Sequence, residues 1–366
     1  MDKMRVGIIG CGNIAPAYFK GCGMFRLLEA AACADLNAEA AKARAKEFNV
    51  TAMTVDELLA SPDIDLVVNL TIPKVHAAVS RAALAAGKHV HSEKPLGITL
   101  EEGAALVQAA AKAQRRLGCA PDTFLGAGLQ TCRKVIDDGW IGRPLAGTAF
   151  MMGRGPEGWH PNPAFFYERG GGPMLDMGPY YITALVHLLG PVKAVSAVAV
   201  KSFPDRLATC PQQFGQRLPV EVPTHNSGTL IFESGAVVTV CISFDVHAHG
   251  HSPIEIYGSE GSLQVPDPNG FGGDVKVFRP DSGQWQPFGF SHGYRENSRS
   301  IGAADLAHGV RSGRPHRCSG ELALHVLEVM LAFERASQDG RTLEIAHRCA
   351  QPAALPLGLV PGLLDD

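Results

Sequence analysis

Six residues near the start of the chain, Gly10-Cys11-Gly12-Asn13-Ile14-Ala15, constrain the fold more than any others. They follow an apolar run at residues 4–9 and open a helical pattern at 13–22. In that setting G-x-G-x-x-A predicts a strand that turns tightly into a helix whose N-terminus meets a pyrophosphate. Gly10 and Gly12 serve the turn and the close approach of backbone to ligand, with Asn13 and Ile14 at the helix entry. A glycine-rich strand-to-helix turn is common by itself. A second element strengthens the reading, because Asp35 ends another apolar strand at 28–34. A carboxylate there accepts hydrogen bonds from ribose hydroxyls and repels a 2′-phosphate. No Arg follows it, so the expected cofactor is NAD in preference to NADP.

The alternation continues through residue 120 and predicts an α/β doubly wound parallel sheet with crossover helices. A helix at 38–48 is followed by Thr54-Val55-Asp56-Glu57, whose capping-box spacing opens a short helix. A strand at 64–70, a helix at 74–86 stopped by Gly87, and a strand at 88–92 come next. Thr99-Leu100-Glu101-Glu102 repeats the capping-box spacing before a long alanine-rich helix. Ligands bind at the carboxyl ends of parallel strands, so Thr71 and Pro73 are expected to border the cofactor. His76 is expected there too, in a lining and not a catalytic role.

Past Pro121 the pattern changes to a helix at 125–138 and then strands at 145–152, 194–200, 228–232, 236–244, 254–257, 262–265 and 275–278, before a last helix at 320–337. This predicts an α+β unit built on a large, mostly antiparallel open sheet. The expected division is 1–122 for dinucleotide binding, 123–345 for substrate and oligomer contacts, and 346–366 as a tail with no clear element.

Bulk properties exclude several partner classes. With 46% hydrophobic and 19% charged residues and a net charge of −3, nothing draws the chain to nucleic acid or to an anionic membrane. No apolar run reaches the roughly 18 residues that span a bilayer. Nine cysteines without a C-x-x-C pair suit reduced thiols. A cytoplasmic protein is expected.

Two further stretches carry chemistry. His91-Ser92-Glu93-Lys94-Pro95 ends a strand of the first sheet, and Pro95 keeps Lys94 out of the α region. Gly170-Gly171-Gly172-Pro173-Met174-Leu175-Asp176-Met177-Gly178-Pro179-Tyr180-Tyr181 places a carboxylate and two phenols within six residues. Pro179 suits the first position of a helix running to Leu189, which puts Tyr180 in its first turn.

With the glycine turn, the Cys33-Ala34-Asp35-Leu36 segment and the run from Gly87-Lys88-His89-Val90 into Glu93-Lys94-Pro95, the chain resembles the glucose-fructose oxidoreductase / inositol dehydrogenase / rhizopine-catabolism (Gfo/Idh/MocA) family. The resemblance implies a site lined by the lysine of E-K-P and by a D-x-G-x-H or D-x-G-x-Y element, here Lys94, Asp176 and Tyr180. Glu93 joins the cofactor side with Lys94. Many relatives have His where this chain has Tyr180, Asp where it has Thr183, and an Asn-x-Arg-Phe segment where it has Ala120-Pro121-Asp122-Thr123-Phe124, a loop expected to border the substrate at Asp122.

The implied activity is NAD(P)-dependent oxidation of a ring hydroxyl of a sugar, cyclitol or glycoside. Lys94 would lower the pKa of Tyr180 so that the phenolate takes the proton. Trp159, His160, Asn162 and Tyr167 offer an aromatic face and hydrogen bonds suited to a sugar, although a proline-rich connection with core aromatics accounts for them as well. The expected assembly is a homodimer or homotetramer through the second sheet. Two rival readings are a non-catalytic dinucleotide sensor and a redox-neutral enzyme with tightly held NAD. His247, His249 and His251 would share one face of a strand but lack a further ligand, so no metal is expected.

Overall fold

A computed structural model describes residues 3–365. The first half alternates β1 (Met4–Ile9), α1 (Ala15–Met24), β2 (Leu28–Ala34), α2 (Ala38–Phe48), β3 (Thr51–Met53), α3 (Val55–Ala60), β4 (Leu66–Asn69), α4 (Pro73–Ala85), β5 (His89–Ser92), α5 (Leu100–Ala113) and β6 (Leu117–Cys119). The six strands lie in the order β3-β2-β1-β4-β5-β6, every pair parallel. The order reverses between β1 and β4, the switch point beside which doubly wound sheets bind ligands. β3 and β6 have three residues each, too few to leave a periodic trace. Thr54 and Glu57 complete the expected capping box. Thr99 also caps its helix, but Glu102 turns its carboxylate to the Ile98 N–H, so the reciprocal bond is not made there.

The second half comprises α6 (Ala127–Asp137), β7 (Pro144–Met152), α7 (Gly172–Leu189), β8 (Val192–Val200), β9 (Asp205–Leu207), β10 (Arg217–Pro219), β11 (His225–Phe232), β12 (Val237–Ser243), β13 (Ile254–Gly258), β14 (Ser262–Val265), β15 (Val275–Phe278), β16 (Trp285–Phe288), α8 (Ile301–Ser312), α9 (Gly320–Asp339) and β17 (Leu343–Glu344). Nine strands form one sheet in the order β16-β15-β14-β13-β7-β12-β11-β8-β17. β7 and β12 pair in parallel and the other neighbours are antiparallel. α7 and α9 pack on one face, over the fully buried Val195, Leu230, Val238 and Val240. The other face carries Val198, Val200 and Val237 into solvent.

Four features depart from expectation. α7 begins at Gly172, with Pro173 in its first turn and Pro179 inside it; the glycine run ends in a helix instead of preceding one. The β9–β10 hairpin pairs only with itself, and α8 starts from Ser300 in the left-handed region without a side-chain cap, so neither leaves a start signal. Residues 246–253 contain no strand, so the alternation of His247, His249 and His251 gives them no shared sheet face.

α9 returns the chain to the first sheet. Leu324 joins the core of Val90, Ala110 and Leu117, and the Cys119 N–H donates to the Cys318 carbonyl at 3.0 Å. The tail straps back across the molecule: the Arg26 N–H donates to the Gly362 carbonyl, the Tyr294 hydroxyl donates to that of Leu363, and Leu364 is fully buried. Among the described residues no helix is long and apolar enough to cross a membrane.

Candidate active site

The glycine turn is built for close backbone approach. Gly10 has φ +102, and a Cβ there would stand 2.6 Å from the carbonyl carbon and oxygen of Leu70. Around Gly12 a Cβ would meet nothing within 4 Å, leaving its surface free on the side where a pyrophosphate would lie. The Asp35 carboxylate takes the Cys11 N–H at 2.8 Å on one oxygen and the Asn37 N–H at 2.8 Å on the other. It therefore clamps the turn to the end of β2 and retains lone pairs for a ribose. Arg44 of α2 supports the same turn, its Nε donating to the Cys11 carbonyl at 3.3 Å. Asn13 and Ile14 lie in the turn that enters α1, with Ile14 as its N-cap residue. Leu36, beside Asp35, is exposed.

The loop after β4 is joined to the loop after β5. Thr71 donates its hydroxyl to Asn69 Oδ1 at 2.6 Å, and Pro73 opens α4. His76 is buried, one ring nitrogen 2.8 Å from the Thr71 carbonyl and the other 2.9 Å from that of Pro95. Burial holds this ring below the ordinary histidine range, against the pull of those carbonyls. His76 thus braces the two loops from beneath and does not reach the cofactor surface, which corrects its expected lining role.

Asp176 and Tyr180 occupy positions i and i+4 of α7 and so share a face. Pro179 lies in the turn between them; it cannot donate to the Leu175 carbonyl and its ring crowds that turn open. Into this turn Lys94 extends from the end of β5. Its Nζ donates to Asp176 Oδ1 at 2.8 Å and to the Asp176 carbonyl at 2.6 Å. It also sits over the Tyr180 ring, 5.2 Å from the centroid. Glu93 is held by the Tyr18 hydroxyl at 2.6 Å and by the Lys94 N–H at 3.0 Å.

The electrostatics follow. Burial opposes the Lys94 charge, but Asp176, Tyr180 and Glu93 together raise its pKa above the ordinary lysine value. Burial raises the Tyr180 pKa; Lys94 and Arg299 pull it down, Glu93 and Asp176 push it up, and the net direction is upward. The expected lowering of Tyr180 by Lys94 is therefore outweighed by desolvation and by the two carboxylates. A cavity walled by Lys94, Pro179, Thr183 and Met330 holds about 10 Å³, room for one water.

The segment at 156–170 forms two 3₁₀ turns, Pro156–Gly158 and Ala164–Phe166. Trp159 is 69% exposed, its ring edge-on to His160 at 5.5 Å. His160 Nδ1 accepts from the Asn162 N–H at 3.0 Å, and Asn162 Oδ1 accepts from Gln213 at 3.2 Å. Trp159 and Asn162 are exposed and His160 is half-buried. Tyr167 is instead fully buried and donates to Glu157. Glu157 in turn pairs with Arg206 at 2.5 Å, and Arg206 with Asp245 at 2.5 Å, rooting the segment on β9 and on the chain after β12. An ion pair between Lys74 and Glu168 links the segment to the first turn of α4.

Asp122 is likewise buried, accepting the Gly302 N–H at 3.1 Å. Burial pushes its pKa up to about 6. Its carboxylate anchors the start of α8 instead of facing a substrate, a contact between residues 180 apart that no local pattern announces. Arg299, which sequence reasoning passed over, carries a charge felt by Tyr180, Tyr18, Asp122 and Glu93. His249 and His251 stack at 6.0 Å, and among the described residues no group of three His, Cys, Asp or Glu side chains is arranged to hold a metal.

Known proteins match this arrangement along most of the chain. Residues 4–120 match the model of an oxidoreductase family with an NAD-binding Rossmann fold, and residues 129–264 match the GFO/IDH/MocA C-terminal domain. The chain is 28% identical over 353 residues to 1,5-anhydro-D-fructose reductase of Ensifer adhaerens, covering 93% of this chain and 98% of that protein. It is 28% identical over 290 residues to levoglucosan dehydrogenase of Pseudarthrobacter phenanthrenivorans, covering 72% and 73%. Among solved structures, levoglucosan dehydrogenase in complex with NADH superposes with a TM-score of 0.81 at 23% identity, covering 94% of this chain and all of that one. An aldose-aldose oxidoreductase from Caulobacter crescentus superposes with a TM-score of 0.79 at 23% identity, covering 93% and 99%. With both family domains matched in order on a six-stranded parallel sheet and a nine-stranded mixed sheet, the chain belongs to the Gfo/Idh/MocA family of oxidoreductases.

Proposed function

We propose that this protein is an NAD(P)-dependent oxidoreductase that interconverts a secondary alcohol and a ketone on the ring of a sugar, cyclitol or glycoside. The observation that carries the reading is the meeting of Lys94, from the end of β5, with Asp176 and Tyr180 of α7 beside the switch point of the parallel sheet. The names of the relatives, sugar reductases and dehydrogenases among them, support the same substrate class.

Gly10, Gly12 and the entry to α1 fit the diphosphate, Asp35 fits the adenosine ribose, and Thr71 and Pro73 flank the crevice. A carboxylate at Asp35 with the apolar Leu36 beside it favours NAD over NADP. The bound nicotinamide supplies or accepts the hydride. Lys94 then donates a hydrogen bond to the substrate oxygen, and Asp176 holds Lys94 charged and aimed. With Lys94 and Tyr180 both held protonated, the free site is ready to give a proton to a ketone oxygen. In the oxidative direction Tyr180 has to lose its proton first. Trp159 and His160 stand at the rim, where an aromatic face suits the C–H side of a sugar. The open face of the nine-stranded sheet, with Val198, Val200 and Val237 exposed, suits pairing with a second copy.

The test follows absorbance of NADH and NADPH in both directions with 1,5-anhydro-D-fructose, levoglucosan, inositols and glucosides, alongside Tyr180→Phe. Turnover lost by at least tenfold in the variant is expected. If no member of the panel moves the cofactor, the reading is wrong.

A further inference from the structure

The corner at 298–302 enters α8 pressed against the nucleotide domain. A Cβ on Gly21 of α1 would overlap the Arg299 carbonyl oxygen, so glycine is required where the two segments cross. Ser300, at φ +78, sends its hydroxyl to the Tyr18 carbonyl at 2.9 Å, and the Gly302 N–H binds Asp122 at 3.1 Å. Tyr18 itself reaches Glu93 at 2.6 Å. These contacts tie the corner to α1, to the chain after β6 and, through Tyr18, to the end of β5, with Ser300 directly after Arg299 and Gly302 three residues past it.

The guanidinium so placed is unusual for its lack of a carboxylate. The buried Arg206 and Arg317 and the half-buried Arg314 all sit in ion pairs. Arg299, less than fully exposed, makes one long side-chain contact, to Asn297 Oδ1 at 3.5 Å, and no acid of the described residues lies within salt-bridge distance. A partly desolvated cation without a partner costs stability. The corner contacts set residue 299 against α1 and beside Asp122, and its charge is felt at the reaction centre, by Tyr180 of α7, Tyr18 of α1, Asp122 after β6 and Glu93 after β5. Lys94 and Arg299 are the two cations that act on Tyr180.

We propose that Arg299 is a further active-site residue, the second cation beside Lys94 that faces the oxygen at which the proton moves and the nicotinamide end of the cofactor. The proposal rests on the dehydrogenase reading above and deepens it. Asp122 acts as the positioning residue that sets the corner from which Arg299 extends.

The test needs no substrate. Oxidised nicotinamide carries a positive charge that the reduced ring lacks, so a facing cation disfavours NAD⁺ relative to NADH. Dissociation constants of both forms are measured by calorimetry for wild type, Arg299→Gln, Arg299→Met and Arg299→Lys. Loss of the charge is expected to lower the ratio Kd(NAD⁺)/Kd(NADH) roughly tenfold, the effect of a unit charge about 10 Å away at an effective dielectric of about 20. The Lys variant keeps the ratio. Two charge-removing variants are used so that one that fails to fold leaves the other. An unchanged ratio overturns the proposal; so does a fall in both affinities together, which would mark a grip on the cofactor diphosphate. Failure of every sugar in the panel would sink the dehydrogenase reading while leaving this ratio to decide on Arg299.

Discussion

Replacing Lys94 by Met removes a charge while keeping an apolar stem of similar length. The ammonium lies 5.2 Å from the Tyr180 ring centroid; at an effective dielectric of about 20, a unit charge at that distance stabilises a phenolate by about 3 kcal/mol. Asp176, 2.8 Å from Lys94, cancels part of this, so the net effect on Tyr180 is about one to two pH units. The sign follows from the raised pKa of Tyr180. Oxidation, which needs the phenolate, keeps climbing with pH beyond the ordinary phenol value of about 10; reduction, which uses the phenol, is flat at neutral pH and falls only above that value. Lys94→Met moves both limbs upward. It also removes the hydrogen bond to the substrate oxygen, and oxidation at pH 8 is expected to drop on the order of 100-fold. The assay is kcat/KM against pH in both directions. Superimposable profiles, with more than about a tenth of wild-type kcat/KM retained, would refute the pairing of Lys94 with Tyr180.

Three other perturbations test separate parts. Gly10→Ala forces a Cβ to within 2.6 Å of the Leu70 carbonyl at φ +102, so NADH affinity should fall at least tenfold and stability by about 1–3 kcal/mol, read by calorimetry and denaturant melts. Arg206→Met strips the buried Glu157 and Asp245 of their cation; a loss of about 3–5 kcal/mol is expected, and a retained melting midpoint would mean that the network contributes little. Asp122 has its pKa raised to about 6 by burial, so its contribution to stability is full below about pH 4 and is lost as pH rises through about 6. Asp122→Asn should therefore flatten the pH dependence of the melting midpoint across that window, by up to about 3 kcal/mol.

Much of the site was legible because its signals are local. The turn at Gly10, the acid at Asp35, the lysine at the end of β5 and the Asp176–Tyr180 spacing are each set within a few residues, by a strand end or by one helical turn. α7 was misjudged at its start for a related reason: Gly172 and Pro173 can open a helix as well as Gly178 and Pro179 can. Only packing against the β-sheet and its neighbours, which buries every residue from Gly178 to Leu189, decides that the helix runs through the second proline.

Nonlocal charge is what the sequence hid. His76, Asp122 and Tyr167 have the composition of site residues, but each spends its polar atoms on a distant backbone or side chain. The same contact that removes Asp122 from the substrate's reach fixes the corner carrying Arg299, which no motif marks. The two observations are complementary. Burial raises the Asp122 pKa against the pull of the Arg299 charge and of the Gly302 N–H at the start of α8, whereas the guanidinium lies outside salt-bridge range of every described carboxylate. An arginine bound directly to Asp122 would have satisfied stability better. On the proposal above, its separation from that acid leaves its charge available to the crevice. This arrangement is expected where a site must carry transient negative charge on an oxygen.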